Sequence, residues 1–235
     1  ISSAQIKSSV LLGALNSPGE SIYVEPSLSR DHTEKMLLDF GASIESKKFK
    51  NFNEIKIEGN ANLIAKKVTV PGDPSSAAFL IAAALLVEGS EVVIENVLNN
   101  PTRNGFLKTL FEMKANIKYE KERTINGEKI VNLRVKYGKL FSVSVPEERV
   151  VSMIDEFPIL FILASVAEGK TYMTGLGELK VKESDRINVM KKGLIDCGIN
   201  VEAGEDYMII EGKNKNEIIG DALIETCYDH RIAMS

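Results

Sequence analysis

Apolar positions along this chain alternate between two rhythms. Runs that are apolar nearly all round, at residues 5–15, 75–88 and 155–168, each end close to a glycine. A β-branched stretch with a strand's alternation follows each one: "SIYVE" at 21–25, "SEVVIENV" at 90–97 and "KTYMTGL" at 170–176. Next come a polar junction and a segment with apolar residues at helical spacing, at 31–40, 102–113 and 184–197. Two strand patterns close each set: "GASIES" and "EIKIEG", "KANIKYE" and "IVNLRV", "GINVEA" and "YMIIEG". Where the chain allows, a strand also precedes the first helix, "KKVTV" at 66–70 and "LFSVSV" at 140–145. The pattern predicts three copies of one βαβαββ unit of about 70 to 80 residues.

Such a unit must bury two helices against a four-stranded mixed sheet. Helices that are apolar all round are covered from several sides, so the first helices are expected to meet at a shared centre with sheets outside. The stretch "GNANLIAKKVTVPGDP" (59–74) offers a break between two complete units, which divides the chain into residues 1–70 and 71–235. The fold class expected is α/β (α+β), built from repeats.

Composition narrows the function classes. The chain has 235 residues, 44% hydrophobic and 26% charged, as in ordinary soluble domains. A net charge of −4 argues against a surface dedicated to nucleic acid. Cys197 and Cys227 follow no metal spacing, which favours a reducing, cytoplasm-like compartment, and no metal cluster stands out. The longest apolar run, "AAFLIAAALLV" at 77–87, is too short to span a bilayer, and no signal peptide is visible. Beginning at Ile1 and stopping at "DHRIAMS", within a helical pattern, the chain reads as a piece of a larger protein.

Candidate chemistry enters at "KVKESDRINVM" (180–190), where Lys182 and Arg186 stand at a helix start that favours anions. Arg30 and Arg103 occupy the matching junctions of the other repeats. One such arginine is unremarkable as a solvated surface cation; three in register point to an anionic ligand, since a helix N-terminus with a guanidinium suits carboxylate or phosphate. Hydroxyls and carboxylates gather at the other helix starts, "SSAQ" (2–5), "GDPSS" (72–76), "IDEFP" (154–158) and "YDHR" (228–231).

The segments "SAQIK" (3–7), "SRDHTE" (29–34), "GDPSSAAF" (72–79), "NPTR" (100–103), "IDEFPIL" (154–160), "KESDR" (182–186) and "DHRIAM" (229–234) resemble the 5-enolpyruvylshikimate-3-phosphate synthases, in particular a bacterial subset called class II. That resemblance implies an inside-out α/β barrel of two domains, each with three βαβαββ units. It implies a cofactor-free and metal-free transfer of the enolpyruvyl group of phosphoenolpyruvate to the 5-hydroxyl of shikimate 3-phosphate, releasing phosphate, in chorismate and aromatic amino acid biosynthesis. A cytoplasmic monomer without nucleic-acid or membrane partners is expected, and the present chain alone is expected to be inactive.

Carried over by position, the resemblance makes Asp155 the group that takes the 5-hydroxyl proton; its plainer alternative is a helix cap before Pro158. Glu183 matches the glutamate of proton exchange at the methylene carbon. Lys182 beside it favours the charged form, whereas a donor must hold a proton, and a solvated helix-start glutamate is the alternative. Lys182, Arg186 and Arg231 match the cations around phosphoenolpyruvate, with His230 a further candidate near the phosphate. Ser3, Gln5, Ser29 and Arg30, with Asp155 and Lys182, match the shikimate 3-phosphate positions. Ala4 stands where many relatives carry a second serine, and His32 where others carry a stacking tyrosine. Arg103 and Lys7 are expected to serve structure. Three rivals remain at this stage: a transferase of the same chemistry acting on UDP-N-acetylglucosamine, an RNA 3′-phosphate cyclase, and a repeat-built binding or clamp module.

Overall fold

Left-handed backbone marks the places where predicted helices give way to strands. Gly19, Gly89 and Gly169 occupy the same place in the three repeats, with φ of 82°, 76° and 100°. After the second helices, Gly41, Lys114 and Gly198 do the same at 94°, 59° and 78°. Glycine enters this region at little steric cost; Lys114 enters it with its ammonium 4.9 Å from the centre of the Phe141 ring. The computed structural model describes residues 3–235, so Ser2, in the first expected helix start, lies outside the described residues.

The first repeat contains α1 (Ala4–Ala14), β1 (Glu20–Glu25), α2 (His32–Asp39), β2 (Ile44–Lys48) and β3 (Asn53–Glu58). The second contains α3 (Pro74–Leu86), β4 (Glu91–Leu98), α4 (Gly105–Glu112), β5 (Ile117–Ile125) and β6 (Glu128–Lys136). The third contains β7 (Ser144–Val145), α5 (Phe157–Val166), β8 (Lys170–Thr174), α6 (Arg186–Asp196), β9 (Asn200–Ala203) and β10 (Tyr207–Glu211), and α7 (His230–Ala233) follows it.

The sheets run β1-β3-β2, β4-β6-β5 and β7-β8-β10-β9. In each, the strand after the first helix pairs antiparallel with the last strand, which also pairs antiparallel with the one before it. The leading strand is parallel, Ser144 lying beside Tyr172. The strand expected at 66–70 does not form. Only Gly72 bridges, parallel to Val97, because Pro71 offers no N–H and the preceding segment is largely exposed. The strand expected at 140–145 contracts to Ser144–Val145 with a bridge from Phe141 to Glu168.

The apolar helices α3 and α5 pack on each other, and α5 also meets α6 and α7. Ala77, Ala78, Ile81 and Leu85 of α3 join Phe157, Leu160, Phe161 and Ala164 of α5 in one core that also holds Leu133 and Met208 from the sheets. Small residues on α3 let the two helices approach while the larger α5 side chains fill the centre. A separate core of Leu11, Ala14, Leu37, Ala42, Ile55 and Ile57 lies within the first repeat. Among the described residues no helix is long and apolar enough to cross a membrane.

Candidate active site

Short 3-10 turns, Glu147–Ser152 and Ile154–Glu156, lead into α5. Asp155 therefore stands in a turn, and Glu156 occupies the cap position before Pro158, so the capping alternative for Asp155 does not hold. Another 3-10 turn spans Gly177–Val181, and α6 begins only at Arg186 behind its cap Asp185, whose carboxylate accepts from the Asn188 amide at 3.1 Å. Lys182 and Glu183 thus precede the helix, and Arg186 is its first residue. Asp229 caps α7 by accepting from the Arg231 amide at 2.9 Å.

These three starts converge. Arg186 is 1% exposed, and its Nε donates to Asp229 Oδ2 at 2.8 Å, its Nη2 to Glu183 Oε2 at 2.5 Å. Its Nη1 is buried without a hydrogen-bond partner, 3.6 Å from Asp155 Oδ1. Arg30 crosses from the first repeat, and its Nη2 donates to Asp155 Oδ2 at 3.1 Å. Burial pushes the Asp155 carboxyl up, but the charges of Arg231, Arg30 and Lys182, with the Arg30 hydrogen bond, outweigh it and hold the carboxyl below its ordinary range. Asp229 behaves alike: burial opposes, while hydrogen bonds from Arg186, the Arg231 amide and Ser184 prevail and lower it. The Arg231 guanidinium makes no hydrogen bond or ion pair among the described residues. Lys182 donates to Glu178 at 2.6 Å, Glu183 is 53% exposed, and His230 is exposed at the first position of α7.

The remaining candidates divide. Ser3 caps α1, its hydroxyl accepting from the Ile6 amide at 3.5 Å; Ala4 opens that helix, and Gln5 is exposed. Ser29 is turned inward, its hydroxyl donating to Glu25 at 2.7 Å, so it offers no free side chain to a ligand. Lys7 is fully buried and paired with Glu25 and Glu34. Arg103, in register with Arg30, instead donates to Asp73 at 3.1 Å and Ser75 at 2.8 Å. Ser75 in turn donates to Glu156, whose carboxyl is pushed up chiefly by burial.

Asp229 and Asp73, the partners of Arg186 and Arg103, and Glu156, the acceptor of Ser75, were not among the expected site residues. Their signal was available: each is an acid at or beside a helix start. Nor was a partner expected for His32, whose Nδ1 lies 2.6 Å from Glu128 Oε1. Asp31, His32 and Glu128 are grouped closely enough to ligate a metal, with their ligand atoms within 4.8 Å. The Lys35 ammonium already lies 3.1 Å from both carboxylates, which places a cation there.

An ionised carboxylate among three arginines and a lysine suits a small anion and a proton transfer beside it. The sequence relationships agree. Residues 1–235 match the family described as EPSP synthase (3-phosphoshikimate 1-carboxyvinyltransferase). The chain belongs to that family. It is 48% identical over 236 residues to a 3-phosphoshikimate 1-carboxyvinyltransferase of Bartonella henselae, covering 100% of this chain and 53% of the relative. The solved EPSP synthase of Acinetobacter baumannii superposes with a TM-score of 0.91 at 45% identity, covering 100% of this chain and 53% of that one. The enolpyruvyl transferase NikO of Streptomyces tendae, at 20% identity and a TM-score of 0.58 over 88% of this chain and 46% of its own, shares the fold. The family's inside-out α/β fold thus accounts for the repeats seen here, and the chain spans about half the length of its curated relatives.

Proposed function

We propose that this chain forms about half of an enzyme that transfers the enolpyruvyl group of phosphoenolpyruvate to the 5-hydroxyl of shikimate 3-phosphate. Residues 1–70 complete one domain and 71–235 form most of a second, in a cytoplasmic monomer. The observation that carries the reading is Arg186: a buried guanidinium with one unpartnered nitrogen, next to an ionised Asp155 that also feels the charge of Arg231, a guanidinium without a partner among the described residues.

In this reading Arg186 and Arg231 fork the phosphoenolpyruvate carboxylate and Lys182 adds charge. His230 stands at the same helix start. Ser3, Gln5 and Arg30 hold shikimate 3-phosphate from the first repeat, with the backbone at Ala4. The 5-hydroxyl oxygen bonds to the carbon that carries the phosphate, and its proton passes to the Asp155 carboxylate. The methylene carbon takes a proton, with Glu183 as the exchanging group. The tetrahedral adduct then loses a proton from the new methyl group and expels inorganic phosphate, restoring the enol ether. Cations at the helix starts reinforce the dipoles only when an anion lies between them, so their charge acts on bound substrate and on the departing phosphate.

The test is phosphate release by a protein of the relatives' full length that contains this chain. Release from phosphoenolpyruvate is expected with shikimate 3-phosphate and not with UDP-N-acetylglucosamine. The reverse pattern overturns the substrate and leaves the fold.

A further inference from the structure

The first repeat holds a cluster of buried charge that the site does not use directly. The Lys7 ammonium lies 2.7 Å from Glu34 Oε1 and 3.2 Å from Glu25 Oε1, and donates to the Ser29 carbonyl at 3.4 Å. Glu25 accepts from the Ser29 amide at 3.1 Å and from the Ser29 hydroxyl at 2.7 Å. Lys7 and Glu25 are fully buried, Ser29 and Glu34 nearly so. Every polar group of Ser29, both backbone and side chain, is thus held by two interior ions.

Ion pairs buried this deeply do little for stability that an apolar pair of the same size would not do, because both charges are stripped of water. What a charged hub supplies is direction. Here it joins the first turns of α1 to the end of β1 and to α2, and its grip falls on the residue immediately before Arg30. Among the described residues, Arg30 is the one side chain of the first repeat that pairs with Asp155.

We infer that Lys7 and Glu25 are positioning residues: by fixing Ser29 they set the direction from which Arg30 meets shikimate 3-phosphate and Asp155. The inference rests on the proposed role of Arg30. It moves Ser29 from substrate ligand to the gripped element of the turn. The hub is closed to solvent and binds nothing itself.

The test uses the full-length protein. Glu25→Gln keeps the shape and leaves Lys7 paired with Glu34, but removes the charge that grips Ser29. The Michaelis constant for shikimate 3-phosphate is expected to rise roughly tenfold, the loss of about one charge-assisted hydrogen bond, while that for phosphoenolpyruvate stays within about twofold. In an Arg30→Ala background the same substitution is expected to add nothing. If its effect is instead fully additive with Arg30→Ala, or falls equally on both substrates, Glu25 acts through stability alone and the inference is overturned. If Arg30→Ala by itself leaves shikimate 3-phosphate affinity intact, the role of Arg30 falls first. Should Glu25→Gln fail to fold, Ser29→Ala removes only the hydroxyl grip. It is expected to raise the same constant roughly fivefold, and no change there overturns the inference.

Discussion

Asp229→Asn removes the fully buried carboxylate that faces Arg186. Asp229 is fully buried, accepts from Arg186 Nε at 2.8 Å and Ser184 Oγ at 3.0 Å, and caps α7 through the Arg231 amide at 2.9 Å. Asparagine caps a helix as well as aspartate does, so the cap survives. What disappears is the charge facing a guanidinium that is 1% exposed. Removing one partner of a buried pair costs about 3–5 kcal/mol when the other is left alone. Arg186 is not left alone, since Glu183 at 2.5 Å and Asp155 at 3.6 Å remain. The expected cost is therefore lower, about 2–3 kcal/mol, near the value of a charged hydrogen bond. Urea unfolding across pH measures it. Because the folded Asp229 carboxyl titrates below its ordinary range, its contribution is complete above the unfolded value of about 4 and fades as pH falls through the folded one. The two proteins should differ by that amount near neutrality and converge in acid. A difference under about 0.5 kcal/mol at pH 7 would show that Asp229 does not anchor Arg186.

Other consequences follow from the same geometry. Asp155→Asn in the full-length protein should slow phosphate release by a factor of about 10²–10⁴ with both substrates still bound in calorimetry; equal losses of rate and binding would make Asp155 a ligand and not a base. Glu156→Gln should be neutral or stabilising at pH 7. A carboxyl whose folded pKa is raised loses stability as pH climbs through its unfolded value of about 4.3, and glutamine removes that loss; the variant should therefore gain on the wild type between about pH 4 and pH 7, and a variant that falls behind the wild type over that range contradicts the assignment. Gly212→Ala should destabilise by about 3 kcal/mol, since a Cβ there meets the Ala167 carbonyl oxygen at 1.8 Å. Thermal unfolding reads this, and the equivalent Gly59, whose Cβ would meet the Ser17 carbonyl at 1.6 Å, should respond alike.

Much of the architecture was legible because it was written three times. A glycine or a left-handed lysine recurs at each helix end, and α1, α3 and α5 match the apolar runs to within about two residues. The strand missing at 66–70 was misread because β-branched residues in "KKVTV" look the same whether or not a neighbouring strand receives them, and only Gly72 finds one. The 3-10 turn at Ile154–Glu156 was hidden because its residues continue the helical pattern, which shifted Asp155 from a cap into a turn, while the turn at Gly177–Val181 falls between the strand and helix patterns and carries no period of its own. The arginines show the sharper limit. Their register was visible, but Arg103 turns to Asp73 and Ser75 while Arg30 reaches another repeat, a contact between residues 125 positions apart. No local pattern carries that pairing.

In the proposed reaction the turn "KESDR" holds an anion through Arg186. Calorimetric titration of phosphoenolpyruvate into the full-length protein, saturated with shikimate 3-phosphate, tests it directly alongside Arg186→Ala. Binding to the wild type and a roughly tenfold to hundredfold loss in the variant are expected, the worth of about one charged hydrogen bond. Equal affinity in the two proteins would contradict that role of Arg186.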